Sequence, residues 1–358
     1  MNSMGMYRIL TLQQKDEWNL LISKLPINQQ EIYYMPDYYS LYENNGDGEA
    51  KCFVYEENND LALYPFLINS VNELGYKLDK GYFDIQGAYG YNGIISSSYS
   101  TDFIDGFYYA FNNFCCTYNI IAEFTRFHPL LDNKRFSLDN MGVIDDRKTV
   151  FVDLSNDYDI IRSNYQRSTK KQIRRSLNNS NVEVLSCKGA DYCYKTFYKI
   201  YCENMNAINS TEYLLFSLDY FRELLLMKDV YVLYVLVDGI IISNISVFLS
   251  SIYINGHLGG SISNVSSYSP FSLLYDYMIK FGIINNKKLL HVGGGLSNSN
   301  DDKLLTFKQN FSKATSQFSI GKKVHNKSIY DNILLQYDLK HPQKSALNNN
   351  ILLKYRNI

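Results

Sequence analysis

The sequence has no apolar run near the roughly 20 residues that a membrane span requires, and its first ten residues hold no signal-peptide core. The expectation is therefore a cytoplasmic protein, with membrane association limited to its surface. Cys52, Cys115, Cys116, Cys187, Cys193 and Cys202 form no C-x-x-C pair, and no histidine spacing completes a zinc site. They read as reduced thiols, and no metal is expected. A net charge of −1 argues against a generic nucleic-acid binder, although a local basic patch stays open. There is no repeat of 20 to 50 residues and no Gly-Lys-Ser/Thr phosphate loop. No serine or cysteine triad stands out.

What is present is a foldable chain. Its 358 residues exceed the roughly 250 to 300 at which single cores stop growing, so two domains are expected. Hydrophobic residues at 46% against 20% charged are enough for a packed core. The 33 tyrosines and 20 phenylalanines fit either a compositional bias shared with Asn, Ile and Lys or aromatic clefts for sugars or bases.

Strands and helices alternate up to about residue 154. Residues 52–55 and 61–67 read as strands around an Asn-Asn-Asp turn. Residues 99–118 read as a helix with Phe103, Phe107, Ala110 and Phe114 on one face. Strands at 120–125 and 149–154 follow. The second half reads as helices at 160–177, 190–203 and 217–227, then strands at 230–237 and 240–249 around Asp238-Gly239, a strong hairpin signal. A strand at 252–258, a helix at 270–281 begun by Pro270, a short buried strand at 289–292, a helix from Asn300 or Asp301 to Phe311 and a strand at 315–320 complete the order. The domains are placed at 1–155 and 156–325, with a tail at 326–358 that packs back or stays partly flexible. The fold class is α/β (α+β), each domain a mixed, mainly antiparallel sheet flanked by helices.

Several residues carry chemistry on their own terms. Leu304, Phe307 and Phe311 form an apolar stripe that also holds Lys308, which must either snorkel to water or point into a cleft. Gly293, Gly294 and Gly295 follow a buried strand and permit close approach of a ligand or positive φ, or simply a flexible crossover. Tyr89 and Tyr91 could stack on a sugar face and Asp84 could accept hydroxyl hydrogen bonds; a tight turn with core tyrosines is the alternative. Arg126 and His128, two apart, share a strand face and could bind a diphosphate or carboxylate. His257 lies in an apolar strand, where it either lines a cleft or is structural. Ser266 and Ser269 precede Pro270 at a helix N-terminus, a setting that suits phosphate. Arg162, Arg167, Lys170, Lys171, Arg174 and Arg175 form an acid-free run, either a solvated face or a contact for tRNA phosphates or an anionic membrane.

Four segments in register resemble the FemAB/FemX family of acyltransferases with two GNAT-like domains. Residues 289–295 (LLHVGGG) with 304–311 (LLTFKQNF) are similar to the family's glycine strand-loop and its "L-x-x-F-K-x-x-F" helix. Residues 82–93 (YFDIQGAYGYNG) resemble its tyrosine-glycine loop, and 123–130 (EFTRFHPL) its "E-x-x-R-F-H-P-L" strand. Residues 201–220, with Met205, Tyr213, Phe216 and Tyr220, resemble its paired helices. The resemblance implies an acyl- or aminoacyl-transferase acting on a cell-envelope glycan or a nucleotide- or lipid-linked precursor. It implies Lys308 as stabiliser of the tetrahedral oxyanion, Phe307 as its support, and Tyr213 among the substrate contacts. No cofactor is permanently bound; acyl-CoA or aminoacyl-tRNA is the co-substrate. The segment around Ser266 and Ser269 corresponds to the GNAT pyrophosphate site but lacks that motif's glycines. Residues 37–42 lack the lysine that peptidoglycan-acting relatives use, and Asn206 stands where many members are basic, which favours other surface glycans. A non-catalytic glycan-binding relative is the third alternative.

Overall fold

The computed structural model describes residues 5–210, 214–299 and 301–357, so Tyr213 and Asn300 lie outside the described residues. Strand β1 (Met6–Leu10) leads through α1 (Lys15–Ser23) and α2 (Pro36–Asn44) to a meander of β2 (Glu49–Glu57), β3 (Asp60–Ser70) and β4 (Phe83–Gln86). A short β5 (Ile95–Ser96) and helix α3 (Thr101–Thr117) return the chain to β6 (Ile120–Phe127), and β7 (Gly142–Asp153) follows. Next come α4 (Tyr158–Ser163), α5 (Arg167–Leu177), β8 (Val182–Lys188), α6 (Tyr194–Ala207) and α7 (Leu218–Leu226). A second meander, β9 (Val230–Val237), β10 (Ile240–Leu249) and β11 (Tyr253–Ser261), is followed by α8 (Pro270–Ile284), β12 (Leu289–Gly294), α9 (Lys303–Lys308) and β13 (Thr315–Val324). The chain closes with α10 (Lys327–Lys340) and α11 (Pro342–Leu347).

Two compact units result. One runs to Asp146 and resumes at Phe318; the other is Arg147–Gln317. In the first unit the strand order is β1-β2-β3-β4-β6-β13, with β5 beside β3. Among the described strands of that unit, β4 and β6 pair in parallel and the others antiparallel. In the second the order is β7-β12-β11-β10-β9-β8, and only β11 and β12 are parallel. A parallel pair needs a crossover. Helix α3 supplies it between β4 and β6, and α8 between β11 and β12. The units therefore share one plan: an antiparallel meander, a crossover helix, a parallel strand, and a final antiparallel strand. That final strand is exchanged in sequence. Beside β6 lies β13, which follows the second unit, and beside β12 lies β7, which follows the first.

The sequence pattern explains the packing. Phe103, Phe107, Ala110, Phe111 and Phe114 bury one face of α3 against Phe53, Tyr64, Phe66 and Ile85 of the first sheet. Burial of each such ring contributes about 1.5–3 kcal/mol. In the second unit one sheet face is aliphatic: Val150, Val152, Leu233, Val247, Ile254 and Leu290 pack on Leu273, Leu274, Met278 and Ile279 of α8. Asp238 (φ 51) and Gly239 (φ 76) both take the left-handed region, the type I′ geometry that closes β9 onto β10.

Three expectations shift in detail. The helix expected over 160–177 is two helices, α4 and α5, because Gln166 is extended (ψ 138) and its N–H donates to Asn310 O. The break lets Tyr165 bury its ring against Phe311. The expected strand at 149–154 starts earlier, at Gly142. The helix expected from Asn300 or Asp301 to Phe311 is only Lys303–Lys308, capped by Asp302.

Residues after β13 pack on the first unit. Ile333 and Tyr337 of α10 are fully buried with Tyr76, Tyr82 and Ile121. The Arg356 guanidinium donates through Nε to both oxygens of buried Asp84, at 3.0 and 2.8 Å, and Tyr355 Oη donates to the same carboxylate at 2.8 Å. Arg356→Ala would leave that carboxylate buried without its cation, so a loss of about 3–5 kcal/mol in unfolding free energy is expected. Urea denaturation measures it, and a double variant with Asp84→Ala should lose less than the sum of the two single changes.

Candidate functional site

In the second unit β11 and β12 bury the polar side chains of Asn255 and His291. Their parallel ladder has three register positions, Tyr253↔Leu289, Ile254↔Leu290 and Asn255↔His291. Beyond Asn255, β11 continues to Ser261 paired with β10, and beyond His291, β12 continues to Gly294 paired with β7. The two strands thus splay apart past the Asn255–His291 position. Asn255 and His291 share the sheet face opposite Ile254 and Leu290, and both are buried. His257, two residues on, lies 3.2 Å from Tyr220 Oη of α7 through Nε2 and packs on Phe248. Burial pulls the His257 imidazole down to about 3. Burial, and then the charge of Lys308, does the same to His291. Both rings are therefore neutral near pH 7.

Lys308 ends α9. Its side chain does not snorkel: it is 8% exposed, and Nζ donates to Gly294 O at 2.6 Å. Phe307, the preceding residue, turns the other way, edge-on to Tyr275 and Phe311 at 5.3 and 5.6 Å. Two neighbours on one helical turn thus divide the work, the ring fixing the helix to α8 and the ammonium reaching the glycine loop. Gly293 has φ +78, and a Cβ there would stand 3.1 Å from Lys308 Nζ. Only glycine takes that conformation without strain, and only glycine leaves the ammonium its room. Gly295 likewise leaves room for Asp302, whose Cγ would lie 2.4 Å from an added Cβ. Burial lowers the Lys308 ammonium to about 8, opposed by the Asp302 carboxylate. Arg147 of β7 donates to Gly295 O and Leu296 O at 3.4 and 2.9 Å.

The other sequence candidates fall into two groups. In the first unit, Asp84 is enclosed by Arg356 and Tyr355 rather than presented to solvent. Its carboxyl is raised by burial, against the Arg356 charge. Arg126 spends its guanidinium on Gly87 O and Ala88 O, at 3.0 and 2.9 Å, and its backbone N–H on Asn92 Oδ1. These bonds hold the 84–93 loop. At its tip Tyr89 and Tyr91 are half-buried, and Tyr91 packs edge-on against Tyr33, His128 and Phe318. Tyr91, His128 and Arg126 are thus one cluster, with Asp84 at the loop's far end.

In the second unit, Arg167, Lys171 and Arg174 are exposed on α5. That helix lies against the segment preceding α8: Arg175 Nη2 donates to Ser267 O at 2.9 Å and Ser176 Oγ to Tyr268 O at 2.7 Å. Ser266 and Ser269 are therefore beside the basic helix. Ser269, at φ 50, is a non-glycine residue in the left-handed region at the start of α8, a costly conformation. Asp302, Arg147, Asn255 and His291 were not singled out from sequence as site residues. Asp302 is signalled by its place three residues before Leu305, as a cap; Arg147 has no sequence signal.

Comparison with solved structures places this architecture. FemX superposes with a TM-score of 0.69 at 12% identity, over 91% of this chain and 99% of that one. L-PGS from Bacillus licheniformis gives 0.57 at 10% identity over 89% and 95%. A tandem GNAT protein from the clavulanic acid biosynthesis pathway gives 0.50 at 7% identity over 90% and 99%. No known family profile matches the sequence. No curated protein matches it. The fold is FemX-like, two GNAT-type units in one chain.

The buried ammonium has a stability signature. An unfolded lysine titrates near 10.4, and in the folded chain Lys308 titrates at about 8. Between those values the unfolded state binds more protons, so stability rises with pH there. Below about pH 8 the charged form costs about 3 kcal/mol. Lys308→Met should therefore be more stable than the parent at pH 7, and the gap should close as pH approaches 10.5. Urea unfolding at pH 7, 9 and 10.5 checks this.

Proposed function

We propose that the chain is an acyltransferase in which Lys308 stabilises the tetrahedral oxyanion. The observation that carries this reading is the buried Lys308 ammonium on Gly294 O, set beside two strands that splay apart. An ammonium has three N–H donors. Gly294 O takes one, and the others suit an oxygen that gains negative charge. Open strand edges suit an extended, amide-bearing arm, which can add backbone-type hydrogen bonds. Such an arm is a feature of acyl-thioester donors. In the transfer step an acceptor nitrogen or oxygen attacks the carbonyl carbon, the carbonyl pair moves onto oxygen, and collapse expels the thiolate, which takes up, through solvent, the proton that the acceptor loses. No enzyme nucleophile is consumed. The acceptor is a cell-envelope glycan or its nucleotide- or lipid-linked precursor, with the half-buried Tyr89 and Tyr91 assigned to its recognition.

With a panel of acyl-CoAs and nucleotide-sugars, Lys308→Met should keep donor binding and lose roughly two to three orders of magnitude in turnover. Single-turnover kinetics reads this directly, and a rate within a few-fold of the parent would end the reading. Turnover of the parent should also fall as pH rises through about 8, where the ammonium is lost.

A second reading, an aminoacyl-tRNA donor, is favoured by the exposed cations of α5 beside the segment at Ser266 and Ser269. Changing Arg167, Lys171 and Arg174 together to glutamine should then weaken tRNA binding and lower its salt slope by up to about three. Filter binding at several salt concentrations separates the two donors, since transfer from a small thioester should be unaffected.

A further inference from the structure

The Lys308–Gly294 contact joins the end of β12 to the short helix α9. Gly294 lies at the end of β12, and Lys308 on a helix of six residues. Helices this short are marginal alone, and a run of three glycines at a strand end loses much entropy on ordering. The helix and the segment that follows Gly294 both gain from a tether, and one carboxylate provides it. Asp302 Oδ1 accepts from Leu305 N–H at 2.9 Å, which caps the helix carrying Lys308. Asp302 Oδ2 accepts from Ser297 N–H at 2.8 Å and from Ser297 Oγ at 3.2 Å, which ties down the loop carrying Gly294. The residue is 7% exposed, and Gly295 passes so close that only a glycine fits there.

We infer that Asp302 is a positioning residue that holds both partners of the Lys308–Gly294 contact and keeps the Lys308 side chain cationic. The inference deepens the oxyanion reading and rests on it for its catalytic meaning. Its electrostatic part follows from the surrounding groups. His291 of β12, Arg147 of β7 and Tyr275 of α8 surround the same helix end and loop. Arg147 is a cation, and His291 and Tyr275 are neutral, so none favours a second positive charge. The Asp302 carboxylate does, and it stays ionised: the Leu305 amide, with those of Ser297 and Leu296, holds it down at about 2 against burial. Capping alone would be served as well by asparagine or serine. Holding a charge requires the carboxylate.

That difference makes the test. Asp302→Asn keeps a capping oxygen and removes the charge. In protein labelled with 15N-lysine, the Lys308 Nζ resonance is identified by its absence from Lys308→Met and followed with pH. The midpoint should drop by roughly one pH unit in Asp302→Asn relative to the parent. Asp302→Ser should do the same and also speed hydrogen exchange at the Ser297 amide. A folded Asp302→Asn with the parent's midpoint would overturn the inference. Failure of both variants to fold would assign Asp302 to folding and overturn it too. The titration needs no substrate, so it stands or falls apart from acyl transfer itself. Where an acyl-CoA is turned over, Asp302→Asn should lower kcat with little change in KM and move the basic limb to lower pH.

Discussion

One ammonium buried at the edge of an apolar layer sets the terms for the second unit. Its charge is unfavourable there, which is why its proton is held less tightly than a free lysine's. The surroundings answer with oriented polar groups: a carbonyl from a glycine-bearing strand end and a carboxylate at the opposite end of the short helix. Each answer imposes its own constraint. The carbonyl can reach only because Gly293 turns through positive φ, and the carboxylate fits only because Gly295 has no side chain. The glycine run is thus a steric requirement of the cation, and a substitution that adds one carbon at either position changes the electrostatics of Lys308.

The apolar side of the same arrangement is as specific. Phe307 and Phe311 meet Tyr275 of α8, while Tyr165 closes over Phe311 from the break between α4 and α5. A six-residue helix cannot hold an orientation by its own hydrogen bonds. Aromatic packing on one side and the Asp302 cap at its start fix it in two directions, and Lys308 projects along the third.

Much of this was legible in the sequence. The Asp238-Gly239 hairpin, the α3 face at 103, 107, 110 and 114 and the start of α8 at Pro270 follow from local chemistry or short motifs. Other features were hidden because they depend on distant partners. β7 and β13 each pair in the unit that their neighbouring sequence does not build, and no local pattern records such an exchange. Gln166 looks helical and is extended because its N–H finds Asn310, more than a hundred residues away. Asp84 looks like a polar loop residue, yet its partner is Arg356, almost at the end of the chain. Arg126 reads as a ligand-binding cation, and its guanidinium supports two carbonyls of the 84–93 loop.

The two units also spend their charges differently. In the first, Arg356 Nε is shared between both oxygens of buried Asp84, so the charges cancel and the pair serves as a clamp. In the second, Lys308 donates to a neutral carbonyl, and the nearby Asp302 carboxylate is already engaged by backbone amides. A cation compensated in this partial way keeps unspent attraction for negative charge. A fully paired lysine would have to break an ion pair before it could help an oxyanion form, and a lysine in water would be shielded by solvent. The Lys308 setting avoids both costs: it is buried and held in place by Gly294 O, as the proposed oxyanion role requires.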